Sequence, residues 1–203
     1  MNININFDIN NYEEVKTMIR PRLINGSKEV NPIKVCNPLI GDIQITYGIP
    51  LDSNEEGQYT AAITYDYLKF WGITPMELHA QAIANLKEDG YKVKDLGSIL
   101  GMPGCAPGMY VLTNRSKLNG AAGILSPYIM EMVKDEIDSQ IYIIPSSVHE
   151  VIILDKRAAE EDKVPYIVDM INEINRTEVS PDDKLSDHLY SYDYNLDIMT
   201  IVK

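Results

Sequence analysis

The sequence is poor in the residues that announce a chemistry. It has two cysteines, Cys36 and Cys105, far apart and in no CxxC pair. That number permits one disulfide but not a disulfide scaffold, and each is expected to sit as a small buried hydrophobe. It has three histidines, His79, His149 and His188, none at HxH or HxxxH spacing. No metal motif is therefore written in the chain. There is no GxxxxGK[ST] loop and no GxSxG elbow, so no phosphate cradle or hydrolase nucleophile is announced, and no cofactor is implied. No stretch approaches the roughly 18–20 apolar residues of a membrane-spanning helix. The first residues, MNININFDINNYEEV, lack the basic start and apolar run of a secretion signal. These absences lead us to expect a cytoplasmic protein with no membrane contact.

What is present is acid. Eighteen Lys and Arg face thirty Asp and Glu, a formal net charge of -12 in 203 residues. The excess is uneven: residues 1–126 hold 13 acids and 11 bases, a net of -2, and residues 127–203 hold 17 acids and 7 bases, a net of -10. Such a field repels phosphate backbones and argues against direct nucleic-acid binding. The partner it suits is a basic protein surface, although an acidic surface also serves plain solubility.

The pattern along the chain predicts an α+β fold: antiparallel hairpins packed with about five helices. Tyr12, Val15, Ile19 and Leu23 recur at helical spacing after Asn10 or Asn11, either of which could cap a helix, with Pro21 weakening the last turn. Strands are expected at 33–36, at 43–47, where Ile43, Ile45 and Tyr47 share a face, and at 59–63 across a polar turn. Thr64 to Gly72 reads as a short helix. Thr74-Pro75-Met76-Glu77 is the clearest helix start, a cap and capping box with proline in the first turn. After the turn-rich segment 102–108 come strands at 109–113 and 120–125, a helix from Ser126-Pro127, strands at 141–144 and 148–154, and a helix whose stripe is Val164, Ile167, Val168, Ile171 and Ile174. Strands at 188–192 and 198–202 close the chain. We expect one α+β unit over 1–203, or two closely packed halves: a helix-sheet-helix part at 1–101 and a hairpin and helix part at 108–203 with the acidic region.

Two groups of residues stand out as candidates. Ser146, Ser147, His149 and Glu150 lie within five residues at a turn, and nucleophile, base and carboxylate are the ingredients of acyl transfer. Neighbouring side chains on a strand diverge, however, and the reading we favour has the serines satisfying turn backbone. His188, beside Asp187, is a further weak catalytic or metal candidate. The second group is the tail: Asp182, Asp183, Asp187 and Asp193 with Tyr190, Tyr192 and Tyr194. Tyrosines spaced by two share one strand face, and an exposed row would be a recognition ridge for a protein partner. A covered or solvated face of an edge strand is the other reading.

Four blocks, AAITYDYLKFWGITPMELHAQAIAN (61–85), MYVLTNRSKLNGAAGIL (109–125), IYIIPSSVHEVIIL (141–154) and INEINRTEVSPDDKLSDHLYSYD (171–193), resemble in order a bacterial family known only as domain of unknown function 5688. The resemblance implies a small bacterial cytoplasmic protein and brings no catalytic residue with it. Two functions remain. One is a non-enzymatic protein-binding, accessory or inhibitor module that uses its acidic C-terminal surface. The other is a hydrolase or metal-dependent enzyme with its site near the 145–150 turn.

Overall fold

The computed structural model describes residues 7–27, 34–54, 57–145, 147–159 and 161–202. Its first sheet is built on a long strand, β3 (Ile43–Asn54), with β1 (Arg20–Asn25) and β2 (Cys36–Ile40) antiparallel to its first part and β4 (Gly57–Ala62) antiparallel to the rest. Ile43, Ile45, Tyr47 and Ile49 are all buried. That is the period-2 alternation expected of a half-buried strand.

The predicted helix over 12–23 is corrected. Only α1 (Tyr12–Val15) is helical, and the chain becomes β1 at Arg20. Val15, Ile19 and Leu23 are buried as expected. Their spacing of four is also compatible with a strand for the last two, and Pro21 decides: it lacks the N–H a helix needs there. Within β1 the buried positions are Pro21, Leu23 and Asn25, which leaves Arg20, Arg22 and Ile24 on the other face.

Two helices follow. α2 (Tyr65–Trp71) is capped by Thr64 and stopped by Gly72 in the left-handed conformation. α3 (Pro75–Asn85) starts with the predicted capping box, in which Glu77 N–H donates to Thr74 Oγ1 and Thr74 N–H donates to Glu77. Leu78 and Ala82 point inward, and a 3-10 turn at Leu86–Asp89 ends on Gly90. A single-turn helix, α4 (Leu96–Ile99), precedes the turns of 101–108. There Cys105 is exposed, while Cys36 is half-buried and lies 3.1 Å from Gln44 Oε1. Neither is the fully buried hydrophobe expected, because Cys105 stands in a solvent-facing turn and Cys36 on a strand of intermediate burial.

The second sheet has six antiparallel strands: β5 (Lys92–Asp95), β6 (Met109–Thr113), β7 (Ile141–Ile144), β8 (Val151–Asp155), β9 (Tyr190–Asp193) and β10 (Ile198–Ile201). Their order is β10-β9-β7-β8-β6-β5. Antiparallel sheets with helices segregated from them make the fold α+β. α5 (Pro127–Ile137) packs Ile129, Met130, Val133 and Ile137 into the main core, which runs from Val15 in α1 to Tyr192 in the second sheet. α6 (Val164–Thr177) covers a smaller cluster of Ile144, Ile171 and Leu189.

The segment 120–125, expected as a strand, is a buried 3-10 helix. Its composition explains the difference. A Cβ on Gly120 would lie 2.4 Å from the His149 carbonyl oxygen, and one on Gly123 would lie 2.4 Å from the Tyr91 ring. The run Gly-Ala-Ala-Gly is small because backbone and ring pass close on two sides, and a short apolar run does not distinguish this from a strand. Gly123→Ala is therefore expected to lower stability by about 1–3 kcal/mol, the usual range for overpacking a core, since the buried Tyr91 ring must move. A urea unfolding midpoint equal to the unsubstituted protein's would contradict this close packing.

Candidate functional site

The fold brings the two candidate groups of the sequence together. The 145–149 turn lies against the 183–186 segment: Val148 N–H donates to the Asp183 carbonyl at 2.8 Å, Ser186 N–H to the Pro145 carbonyl at 3.0 Å, and Ser147 bridges Lys184. A second tie links the tail to the first sheet. Ser186 Oγ–H and Tyr190 O–H both reach Asp42 Oδ1, at 2.7 and 3.0 Å, and Asn25 Nδ2 donates to the Leu185 carbonyl at 2.8 Å.

His149 has both ring nitrogens engaged. Nδ1 accepts from the Asn119 backbone N–H at 3.2 Å, which places the ring proton on Nε2, and Nε2 lies 3.2 Å from Asp183 Oδ1. An acyl-transfer base presents one nitrogen to a carboxylate and the other to its nucleophile. Here the second nitrogen holds a backbone amide. Ser147 Oγ accepts the backbone N–H of His149 at 3.0 Å, as a turn serine does. Ser146 lies outside the described residues. Glu150 makes no hydrogen bond to His149 among the described residues, and His188 is exposed with its ring against Tyr190. Among the described residues no three His, Cys, Asp or Glu side chains are grouped to hold a metal ion.

The tyrosine row faces inward. Tyr190 and Tyr192 are buried core residues, and Tyr194 is half-buried with its ring edge-on to Tyr192 at 5.0 Å. Burial pushes the hydroxyls of Tyr190 and Tyr192 up, so both stay neutral. The ridge reading therefore does not describe these three rings: β9 pairs with both β7 and β10 and is no edge strand. The acids divide by role. Asp182 is exposed, Asp183 holds His149, and Asp193 Oδ1 accepts the Asn195 and Leu196 backbone N–H groups in the hairpin turn.

Asp187 accepts from Lys184 Nζ at 2.6 Å and from Asn175 Nδ2 at 2.8 Å. Asn175 is the residue the sequence stripe missed. It is buried on α6 four residues after Ile171, and it also donates to the Ser186 carbonyl at 2.8 Å. Ile174, expected inward, is 40% exposed because Asn175 takes the inward position. The outer side of α6 instead carries Tyr166, Met170 and Ile174, all exposed and spaced by four, one line along the helix. Also unforeseen is a cleft beside β1 lined by Arg20, Arg22 and Arg115. The alternation of Arg20 and Arg22 across Pro21 was its sequence signal, masked by the helical reading.

Burial opposes the charge of Asp187, but the Lys184 and Asn175 hydrogen bonds outweigh it and hold the carboxyl below its ordinary value. A depressed carboxyl stabilises the fold above its unfolded value, and that contribution is lost as pH falls through the folded value. Asp187→Asn is thus expected to cost about 1 kcal/mol or less at neutral pH, discounted for its exposure. The two unfolding curves should converge as the pH drops well below 4. A gap in urea midpoint that persisted at low pH would contradict the assignment.

No curated protein and no solved structure is detectably similar to the chain. No helix among the described residues is long and apolar enough to cross a membrane. A model for a family of unknown function (DUF5688) matches residues 1–194, the span that contains both sheets up to β9, α6 and the 145–150 turn. The chain belongs to that family.

Proposed function

We propose that the protein is a binding module whose C-terminal half engages a basic protein surface through the outer side of α6. The observation that carries this is the apolar line Tyr166, Met170 and Ile174, at 73%, 42% and 40% exposure, on a helix already anchored by its opposite side. Large apolar side chains in register on one exposed helix face suit a partner more than water. On and beside the helix Asp162, Asp169 and Glu178 are exposed, as are Lys163 and Arg176, and residues 127–203 hold 17 acids against 7 bases. Charge complementarity therefore commits the occupant: a protein surface or helix bearing Lys and Arg beside apolar side chains.

The tyrosines of the tail act in this reading from within. They hold β9 and its turn, and through Asn175 and Asp187 the tail positions α6. The partner meets the helix, not the rings. The neighbouring hollow of about 200 Å³ between α6 and β8, lined by Met109, Leu154, Ile167 and Met170, gives an apolar side chain of the partner a place to seat.

The test is direct titration of the purified protein with a fluorescent basic amphipathic helical peptide and with its Lys-to-Glu counterpart. We expect the basic peptide alone to bind, with affinity falling steeply as salt is raised. Met170→Ala with Tyr166→Ala should weaken it by about tenfold, the effect of losing apolar anchors worth about 1.4 kcal/mol together. Equal binding of both peptides, or binding unaffected by the double substitution, would overturn the proposal.

A further inference from the structure

The cleft beside β1 is lined by residues between Thr17 and Asn119, none of them on α6, and has a different chemistry. Its volume is about 500 Å³. That falls in the usual range for a pocket holding a small molecule. It is walled by β1 and β3–β4 on one side, by the turn after α3 on another, and by the loop after β6. The chain has five arginines, and three of them, Arg20, Arg22 and Arg115, line this cleft with no lysine among them.

The three arginines are not equivalent. Arg20 is used by the protein. Its Nε lies 2.9 Å from each carboxylate oxygen of Asp89, and its Nη1 donates to the carbonyls of Thr17 and Ile19. This pair clamps β1 to the turn after α3. Arg115 is exposed at the rim, its guanidinium resting over Gly90. Arg22 is the unusual one. It is half-buried, its Nε donates to Asn119 Oδ1 at 3.1 Å, and no carboxylate pairs with it among the described residues. Burial alone pushes its guanidinium down from its ordinary value. With Nε held, the two terminal nitrogens remain as a fork, the arrangement that grips a carboxylate or phosphate with two parallel hydrogen bonds.

Two further hydroxyls lie beneath the cleft wall. The Tyr91 hydroxyl and Thr60 Oγ1 are closed to solvent and make no hydrogen bond of ordinary geometry. Asn114 interacts with the Tyr91 hydroxyl as well as holding its own turn: Nδ2 donates to the Leu118 carbonyl and Oδ1 accepts from Ser116 and Leu118. A buried hydroxyl left unpaired is costly, and native proteins leave few. A half-buried cation without a counterion is costly for the same reason. Tyr91 and Thr60 line the cavity with their hydroxyl oxygens closed to solvent, so it is the Arg22 fork that a ligand meets. The lining also holds Thr17 and Ser116, with an apolar part of Met18, Pro21, Pro50, Leu86 and Leu118. Two acids, Asp89 and Glu88, oppose three arginines, and Asp89 is already committed to Arg20.

We propose that this cleft binds a small organic oxyanion, with its carboxylate or phosphate on the Arg22 fork and its apolar part against Met18, Pro50 and Leu86. Arg115 at the rim attracts the anion into the cleft. The single surplus of positive charge suits one anionic group rather than a polyphosphate. This site is independent of the α6 surface, so either can fail alone.

The experiment is calorimetric titration of the full chain with inorganic phosphate, phenyl phosphate, benzoate and the neutral benzyl alcohol. We expect saturable binding of at least one of the two aromatic anions and none of benzyl alcohol. Phenyl phosphate over benzoate would assign a phosphate ester, the reverse a carboxylate. Inorganic phosphate should bind more weakly than the preferred aromatic anion, having no part for the apolar wall. Arg22→Gln should weaken binding by at least about tenfold, and Arg115→Gln at the rim by about threefold. Arg115 is exposed, so its variant keeps the test valid if Arg22→Gln does not fold. Failure of both aromatic anions to bind, equal binding of benzyl alcohol, or full retention of affinity in either variant would overturn the proposal.

Discussion

One half-buried carboxylate joins the two ends of this chain. Asp42 stands in the turn between β2 and β3, and its Oδ1 receives the hydroxyls of Ser186 and Tyr190, the first fully buried and the second in the core of the other sheet. The two hydroxyls also touch each other at 2.9 Å. Three contacts are thus shared by two hydroxyl protons, and the carboxylate, which only accepts, is the group that gives both protons a destination. Removing it would leave buried hydroxyls and the Asn25 side chain to find new partners together, the circumstance in which hydrogen-bond loss is most costly. The 183–190 segment is the seam along which the sheets meet. Through it run the His149–Asp183 contact, the Asn175 amide and the Lys184–Asp187 pair.

That seam explains why the most suggestive sequence patch behaves structurally. A serine, a histidine and one acid, Asp183, do converge. The serine and one histidine nitrogen are spent on backbone N–H groups. His149 is clamped between an amide N–H and a carboxylate, and Ser147 closes the turn beneath it. Residue type alone cannot separate a base that is waiting for a proton from one whose two nitrogens are already spoken for. The distinction lies in the Asn119 N–H, thirty residues away in sequence, presented by a left-handed residue at the start of a 3-10 helix.

Much of the fold was legible because local signals there agreed with tertiary ones. The Thr74 capping box, the Ile43-Ile45-Tyr47 alternation, the Ser126-Pro127 helix start and the β7–β8 pairing all stand where the pattern put them. The failures share a cause. At 15–23 and at 120–125, short apolar runs fitted more than one period, and the deciding fact was a contact with a distant segment. Ile19 and Leu23 are buried either way, but only a strand lets β1 pair with β3. The same ambiguity concealed the cleft: read as helix, Arg20 and Arg22 fall on different sides, and read as strand they share one. The stripe of α6 was read correctly up to Ile171. Asn175 then took the place expected of Ile174, since a polar residue can be buried when its donors meet the Ser186 carbonyl and Asp187.

The two proposed surfaces answer opposite electrostatic problems. A chain with a net charge of -12 is a poor lure for anions at long range. Yet at physiological ionic strength that field is screened within about 8 Å, so what an oxyanion feels inside the cleft is set by the groups that line it. There the arginines outnumber the acids, and partial burial of Arg22 strips away the water that would otherwise compete for its fork. The α6 surface works the other way. Its acids are exposed and individually weak, and only their number in one half of the chain makes them count, in drawing a basic partner close enough for Tyr166 and Met170 to be covered. Salt should therefore separate the two, dissolving attraction at α6 while touching the buried fork far less.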